Sequence, residues 1–221
     1  MYRNLSTISA SRLNIGAKDA STKLSAQDAY FKNAAIKILL PSEANTLLAA
    51  LNSIPGGQDK VDDVVLRINR SAESAAAEVV PIFKEAVTSM TISDGISIVK
   101  GSNTSATEYL KSKTYTKLVS LYQPKVSAAL DKPLVMNVSA STAWTTLVSA
   151  YNKVGVTANK VARIAGKSEP MPAINVNLSE YVTEKALDGL FVQIAKEEQS
   201  IRANPTKYAS DLITKVFGSV L

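Results

Sequence analysis

The stretch EYVTEKALDGLFVQIAKEEQSIRANP, Glu180 to Pro205, decides how this chain is read. Leu187, Leu190, Phe191, Ile194 and Ile201 recur at the spacing of one helix face, and Leu178 and Val182 extend that face upstream. Asn177, followed three residues later by Glu180, caps the start. Ala203-Asn204-Pro205 ends the helix and opens another, because Asn caps well and Pro fits the first helical position. The other side is charged. Glu198 lies four residues before Arg202, and Lys185 three before Asp188, both spacings that allow ion pairs along a helix. Adjacent Glu197 and Glu198 point about 100° apart on a helix, so the two cannot form a carboxylate dyad by themselves. The stretch predicts a core helix with a charged outer face rather than an active site.

The helical period continues almost throughout the chain. A first amphipathic helix is expected over 10–24. Phe31, Ile36, Leu39 and Leu40 follow as apolar positions ending at Pro41, and Ser42 caps a helix carrying Leu47, Leu48, Leu51 and Ile54. A long helix opens near Asp59, with Val61, Val64, Val65, Ile68, Ala72, Ala75, Ala76 and Val79 on one face and Pro81 as a kink or break. A short helix from Ser93 or Asp94 ends at Gly101. SATE (Ser105–Glu108) reads as a capping box for a helix that Pro124 interrupts, with a further short helix over 124–131. Ala143, Trp144, Leu147, Val148, Tyr151 and Val154 form one face of a helix that Gly155 ends. Residues 155–177 then read as a long loop. The expectation is all-α: one compact domain of about eight to ten helices over 10–218, a flexible N-terminus over 1–9 and a tail over 219–221.

The chain has 221 residues, 46% of them hydrophobic and 20% charged, enough for a sizeable core. It contains no His and no Cys. A Ser-His-Asp triad, a thiolate nucleophile, a disulfide and a His- or Cys-ligated zinc are therefore excluded. A carboxylate-only site for a hard cation stays open. Residues 100–167 hold ten Lys/Arg against two acids, Glu108 and Asp131, although the whole chain has a net charge of only +6. Such a segment attracts anionic lipid or acidic polymer, and its plainer reading is a solvated basic face. No apolar run reaches a membrane span, and no signal-peptide pattern precedes the domain.

GKS at Gly166–Ser168 ends like a phosphate-binding loop, but position 161 is Val161 where that motif needs Gly, and no strand precedes it. Arg67, Asn69, Arg70 and Glu73 form a polar cluster on the long helix. The expectation is a polar network of Arg70, Glu73, Asp188, Glu197 and Arg202, in which a partly buried Arg70–Glu73 pair fixes helix register or, alternatively, lines a ligand cavity. The question left open is whether Asp188 and Glu197 face water or meet Arg70. A carboxylate hydrolase would need Glu73, Asp188 or Glu197 to converge in one cleft. Trp144 and Tyr151, two turns apart, read first as core and more sharply as the wall of an apolar pocket, with Phe83, Tyr122 and Phe191 as further candidates.

Several segments carry a resemblance: NAAIKILLP (Asn33–Pro41), INRSAESAAAEVVPIFKEAVTSMTISDG (Ile68–Gly95), ATEYLKSKTYTKL (Ala106–Leu118), YVTEKALDGLFVQIAKEEQSIRANP (Tyr181–Pro205) and VFG (Val216–Gly218). In this order they resemble a bacterial family of uncharacterised proteins, domain-of-unknown-function family 4197. The resemblance runs from about Ser11 to Gly218. It implies an all-helical exported protein, often a lipoprotein, and so a periplasmic or extracellular location. It brings no activity and no catalytic residues.

The resulting expectation is a non-catalytic helical protein that holds a small apolar or lipid-like ligand between helices. The alternative is a cell-envelope module that uses the basic segment 100–167 to contact anionic lipid or acidic polymer. No catalytic residue, metal site, cofactor or oligomeric state is assigned. Sequence-specific nucleic-acid binding is not expected, because no recognised motif accompanies the positive charge.

Overall fold

A computed structural model describes residues 16–53, 55–81, 83 and 91–204. The expected flexible N-terminus, the helix beginning at Asn204 and the C-terminal tail lie outside these residues. The described chain is all-helical. Helix α1 covers 16–24, and an irregular segment, 25–41, leads to a 3-10 turn at Ser42–Ala44. Helices α2 (Asn45–Asn52) and α3 (Gly57–Ala76) follow, and α3 tightens into a 3-10 turn at Ala77–Val79 before Pro81. Then come α4 (Ile92–Lys100), α5 (Ser105–Asp131), α6 (Ala140–Ile164) and α7 (Leu178–Ala203).

The core lies where α3, α5 and α7 meet, and the contact between α5 and α7 is the most extensive. Leu110 and Leu118 from α5, Ile68 and Ala72 from α3, and Val182, Ala186 and Leu187 from α7 are fully buried there. Phe83 meets Phe191 edge-on, with ring centroids 5.9 Å apart, a favoured geometry for two aromatic rings. Small residues permit the tightest approach. A Cβ added at Gly189 would sit 2.7 Å from the Tyr30 ring and 3.2 Å from Ile36. The Tyr30 hydroxyl donates to the Ala186 carbonyl at 2.8 Å.

Among the described residues there are seven α-helices, fewer than expected; one misread breaker lowers the count, a second moves a boundary, and the expected C-terminal helix lies outside the described residues. Pro124 lies inside α5 and interrupts nothing. It sits on the solvent side, so the Ser120 carbonyl that it leaves without a helical partner is near water, while buried Tyr122 and Val126 on either side keep both halves on the core. Gly155 does not end α6. It is buried against the strand-like segment that follows the helix, where a Cβ would stand 3.3 Å from the Met171 carbonyl oxygen. The α6 helix ends at Ile164, followed by a left-handed Gly166 at φ +70°, with Lys167 N–H bonded to Ala162 O and Gly166 N–H to Arg163 O. That is a Schellman ending, so GKS closes a helix rather than cradling a phosphate.

Capping also departs from local pattern. Ser42 and Ser105 cap nothing through their side chains. A capping box does form at α4, between Thr91 and Asp94, and Asn177 caps Glu180 N–H as its spacing predicts. Leu39, expected inside, is 59% exposed. The segment around it is extended rather than helical, so alternate residues face outward, and Ile38 and Leu40 take the interior.

Candidate functional site

The candidate residues divide among two buried polar clusters, two clefts and the core. In the first cluster α3 grips the irregular segment 25–41. Glu73, buried, accepts from the main-chain N–H groups of Tyr30 at 3.1 Å and Phe31 at 3.3 Å, and from Arg70 at 2.6 Å. Arg70 also donates to Asp28 at 2.6 Å. Asp28 holds a left-handed φ of +69°, and hydrogen bonds from Lys32 and Arg70 keep its carboxyl below the usual carboxylate range. Asn69, fully buried, spends its side-chain amide on Ile38, accepting from its N–H at 2.9 Å and donating to its carbonyl at 2.8 Å. The Arg70–Glu73 pair thus contacts the segment 25–41, through Asp28 and the main chain of Tyr30 and Phe31, and not α7.

The second cluster is built on α7. Glu197 is 4% exposed and binds Lys23 of α1 and Gln193, both at 2.6 Å. Glu198 reaches the start of α5, accepting from Ala106 N–H at 3.0 Å, Thr107 N–H at 2.9 Å and the Thr107 hydroxyl at 2.8 Å. Two of the four N–H groups that every helix start leaves without a helical partner are thus satisfied from another helix. Arg202 completes the unit, bonding Glu198 at 2.8 Å and the Ile98 carbonyl at 2.8 Å.

The predicted network accordingly separates. Neither Asp188 nor Glu197 meets Arg70. Asp188 is half-exposed and pairs with Lys111 across helices at 3.2 Å, while Lys185 lies over the Tyr181 ring instead of joining Asp188. Glu198–Arg202 forms as its spacing predicts. Glu73, Glu197 and Glu198 each accept hydrogen bonds from structural partners, an arrangement that ties helices and the segment 25–41 together. Among the described residues no group of three or more Asp or Glu could hold a metal ion.

The aromatic candidates separate too. Phe83, Tyr122 and Phe191 are buried in the core at 0%, 1% and 4% exposure, and none of them lines either cleft described below. Trp144 lines a cleft of about 350 Å³, together with Ser141, Thr145, Val148 and Ser149 of α6 and Val176 to Ser179 at the start of α7. Tyr151, one turn beyond Val148, is 5% exposed, and its hydroxyl has no hydrogen-bond partner among the described residues. The buried hydroxyl of Ser179 is likewise without one. A second cleft of about 300 Å³ lies between the segment Ala35–Leu39 and the α7 residues Tyr181, Lys185, Asp188, Gly189 and Val192.

A family model described as a protein of unknown function, DUF4197, matches residues 9–218. The chain belongs to this family. Neither a curated protein nor a solved structure matches it. The quoted blocks of DUF4197 character now have physical roles. KALDGLF supplies Ala186 and Gly189, on which Tyr30 sits. EE is Glu197 and Glu198, which tie α7 to α1 and α5. Residues of this DUF4197 chain that sequence reasoning missed are Asp28, Asn152, Asn159 and Ser179. Asn152 pairs with both main-chain groups of Ile174, and Asn159 with both of Met171. No local pattern marks the two asparagines, because each binds the backbone of a segment 12 or 22 positions away.

Proposed function

We propose that the chain is a non-catalytic helical binding protein that seats a small, mainly apolar molecule in the cleft between α6 and the start of α7. One observation carries the reading: the Trp144 indole shares that cleft with Ser179, whose buried hydroxyl lacks a partner among the described residues. A buried hydroxyl without a hydrogen bond costs stability, and a ligand whose entry shifts the cleft wall enough to bring an oxygen to it would relieve that cost. Val148, Val176 and Leu178 supply apolar wall, Thr145, Ser149 and Asn177 polar edge, and the volume lies at the lower end for small-molecule sites. The absence of His and Cys and the engagement of the buried carboxylates in structural bonds support a role without catalysis. An envelope location, implied by the family resemblance, belongs to the same reading.

Trp144 is the sole tryptophan, so its emission reports the cleft directly. Titration with a medium-chain fatty acid should shift and saturate that emission, Ser179→Ala should weaken the titration, and native mass spectrometry of protein from its natural source should reveal bound mass. Unchanged emission together with only the bare-chain mass would overturn the proposal.

A further inference from the structure

We infer that the C-terminal half of α6 docks on the surface of an anionic phospholipid bilayer. The helix changes character along its length. Ala140, Trp144, Tyr151 and Gly155 are its buried residues, and nothing from 156 to 164 is buried. Those last turns are held mainly from one side, where Asn152 and Asn159 clamp the main chain of Ile174 and Met171. On the other side Val154, Val161 and Ile164 are 60%, 62% and 80% exposed, and Val156, nearer the clamped side, is 71% exposed. Four large aliphatic side chains, so open to water on one helix, mark an interaction surface more than scattered single apolar residues would.

Charge identifies the partner. The α6 sequence contains no acid, and Lys153, Lys160, Arg163 and Lys167 stand exposed among these aliphatic residues. Arg163 meets Glu169 at 3.3 Å, both well exposed. The lysines of α5 are differently placed: Lys111 pairs with Asp188, Lys125 with Glu78, and Lys113 covers Tyr109. The basic excess of segment 100–167 is thus most available on α6. At about 100° per residue, Lys160, Lys153, Ile164, Val161 and Val154 share an arc of roughly 120°, cations at one edge and aliphatic residues at the other. An acidic polymer would satisfy the cations and leave the aliphatic residues in water. A bilayer with anionic headgroups satisfies both, phosphates meeting the cations while Val154, Val161 and Ile164 enter the headgroup boundary. No described helix is long and apolar enough to cross a membrane, so the contact lies along the surface.

Co-sedimentation of the full chain with vesicles of phosphatidylcholine alone, or with 30% phosphatidylglycerol, tests this inference independently of the Trp144 cleft. Binding is expected only to the anionic vesicles and should weaken as salt is raised. Lys153→Glu with Lys160→Glu should weaken it by at least roughly thirtyfold, from about fivefold per basic residue lost near the surface. Val161→Ser with Ile164→Ser should weaken it at constant charge, with the thermal midpoint of each variant confirming that it folds. No binding to the anionic vesicles, binding indifferent to the charge reversals, or binding indifferent to the serine pair would each overturn the inference.

Discussion

The side-chain amide of Asn69 pairs with both main-chain polar groups of Ile38, accepting from its N–H at 2.9 Å and donating to its carbonyl at 2.8 Å, while also donating to the Val65 carbonyl at 2.7 Å. All of this happens at 0% exposure. Asn69→Asp keeps the shape but replaces the donor by an oxygen facing two carbonyls. The substitution should destabilise the fold by about 2–4 kcal/mol, because buried polar groups lose partners and a charge is buried against them. Urea unfolding checks it. Asn159→Asp, at a half-buried site, should cost clearly less.

Glu198 does for α5 what a local cap would do elsewhere. Glu198→Ala removes three acceptor contacts at Ala106 and Thr107 and leaves Arg202 without its carboxylate. A loss of roughly 2–4 kcal/mol is expected. Amide hydrogen exchange localises the effect: Ala106 and Thr107 should exchange faster by a larger factor than amides in the middle of α5.

Gly189→Ala should destabilise despite the better helix propensity of Ala. Propensity favours the change by about 1 kcal/mol, but the new methyl would stand 2.7 Å from the Tyr30 ring, and overpacking of this kind costs about 1–3 kcal/mol. Tyr30→Ala removes the obstacle. In the double variant the cost of Gly189→Ala should vanish or reverse sign, and a thermal-unfolding cycle over the four proteins measures that coupling.

Tyr109 titrates late. Burial, followed by its hydrogen bond to Asp94, raises its phenol from 10.0 to about 12. The unfolded chain therefore loses this proton first as pH rises. The folded state gains from Tyr109 fully below pH 10, and that gain is lost between about 10 and about 12. Phenolate absorbance, compared between the native chain and Tyr109→Phe, should show the missing step near the upper value.

The α5–α6 connection carries left-handed residues at Met136 (φ +45°) and Asn137 (φ +55°), between bridged Val135 and Val138. Asn-Gly suits that turn far better than Met-Asn. Met136→Asn with Asn137→Gly should raise stability by about 0.5–1 kcal/mol, read as a higher thermal midpoint. Arg67, which donates to both the Val135 and Val138 carbonyls, keeps the turn closed in either protein.

Much of this architecture is legible from periodicity. The inner faces of α3 and α7 and the Trp144–Tyr151 stripe of α6 follow the 3.6-residue repeat, and the core packs them as that repeat requires. Pro124 and Gly155 misled because a breaker acts through its surroundings. Pro124 had water beside it and firm packing on both flanks, and Gly155 had a chain segment crossing over it. Tyr30 and Ile38 escaped notice for a different reason: they lie in an irregular segment, where no repeat reports burial. The polar pairs divide by range. Arg70–Glu73 and Glu198–Arg202 are visible as three- and four-residue spacings, whereas Glu198 on Thr107 and Asn69 on Ile38 join residues 91 and 31 apart, beyond any local signal. Of the candidate cleft, sequence pointed to Trp144 but not to Ser179, since an unpaired hydroxyl is a property of surroundings.

Residues that complete α7 leave the ribosome after every helix they fasten. Glu197 takes Lys23 from 174 positions earlier, and the Ala186 carbonyl takes Tyr30 from 156 positions earlier. At roughly 5–20 residues per second, the first helix waits on the order of ten to thirty seconds for these partners. Until then α3 and α5 expose the apolar faces that α7 will cover. Synthesis and folding are therefore separated in time, and a nascent chain halted before Leu178 lacks the partners that Lys23 and Tyr30 take in the finished fold.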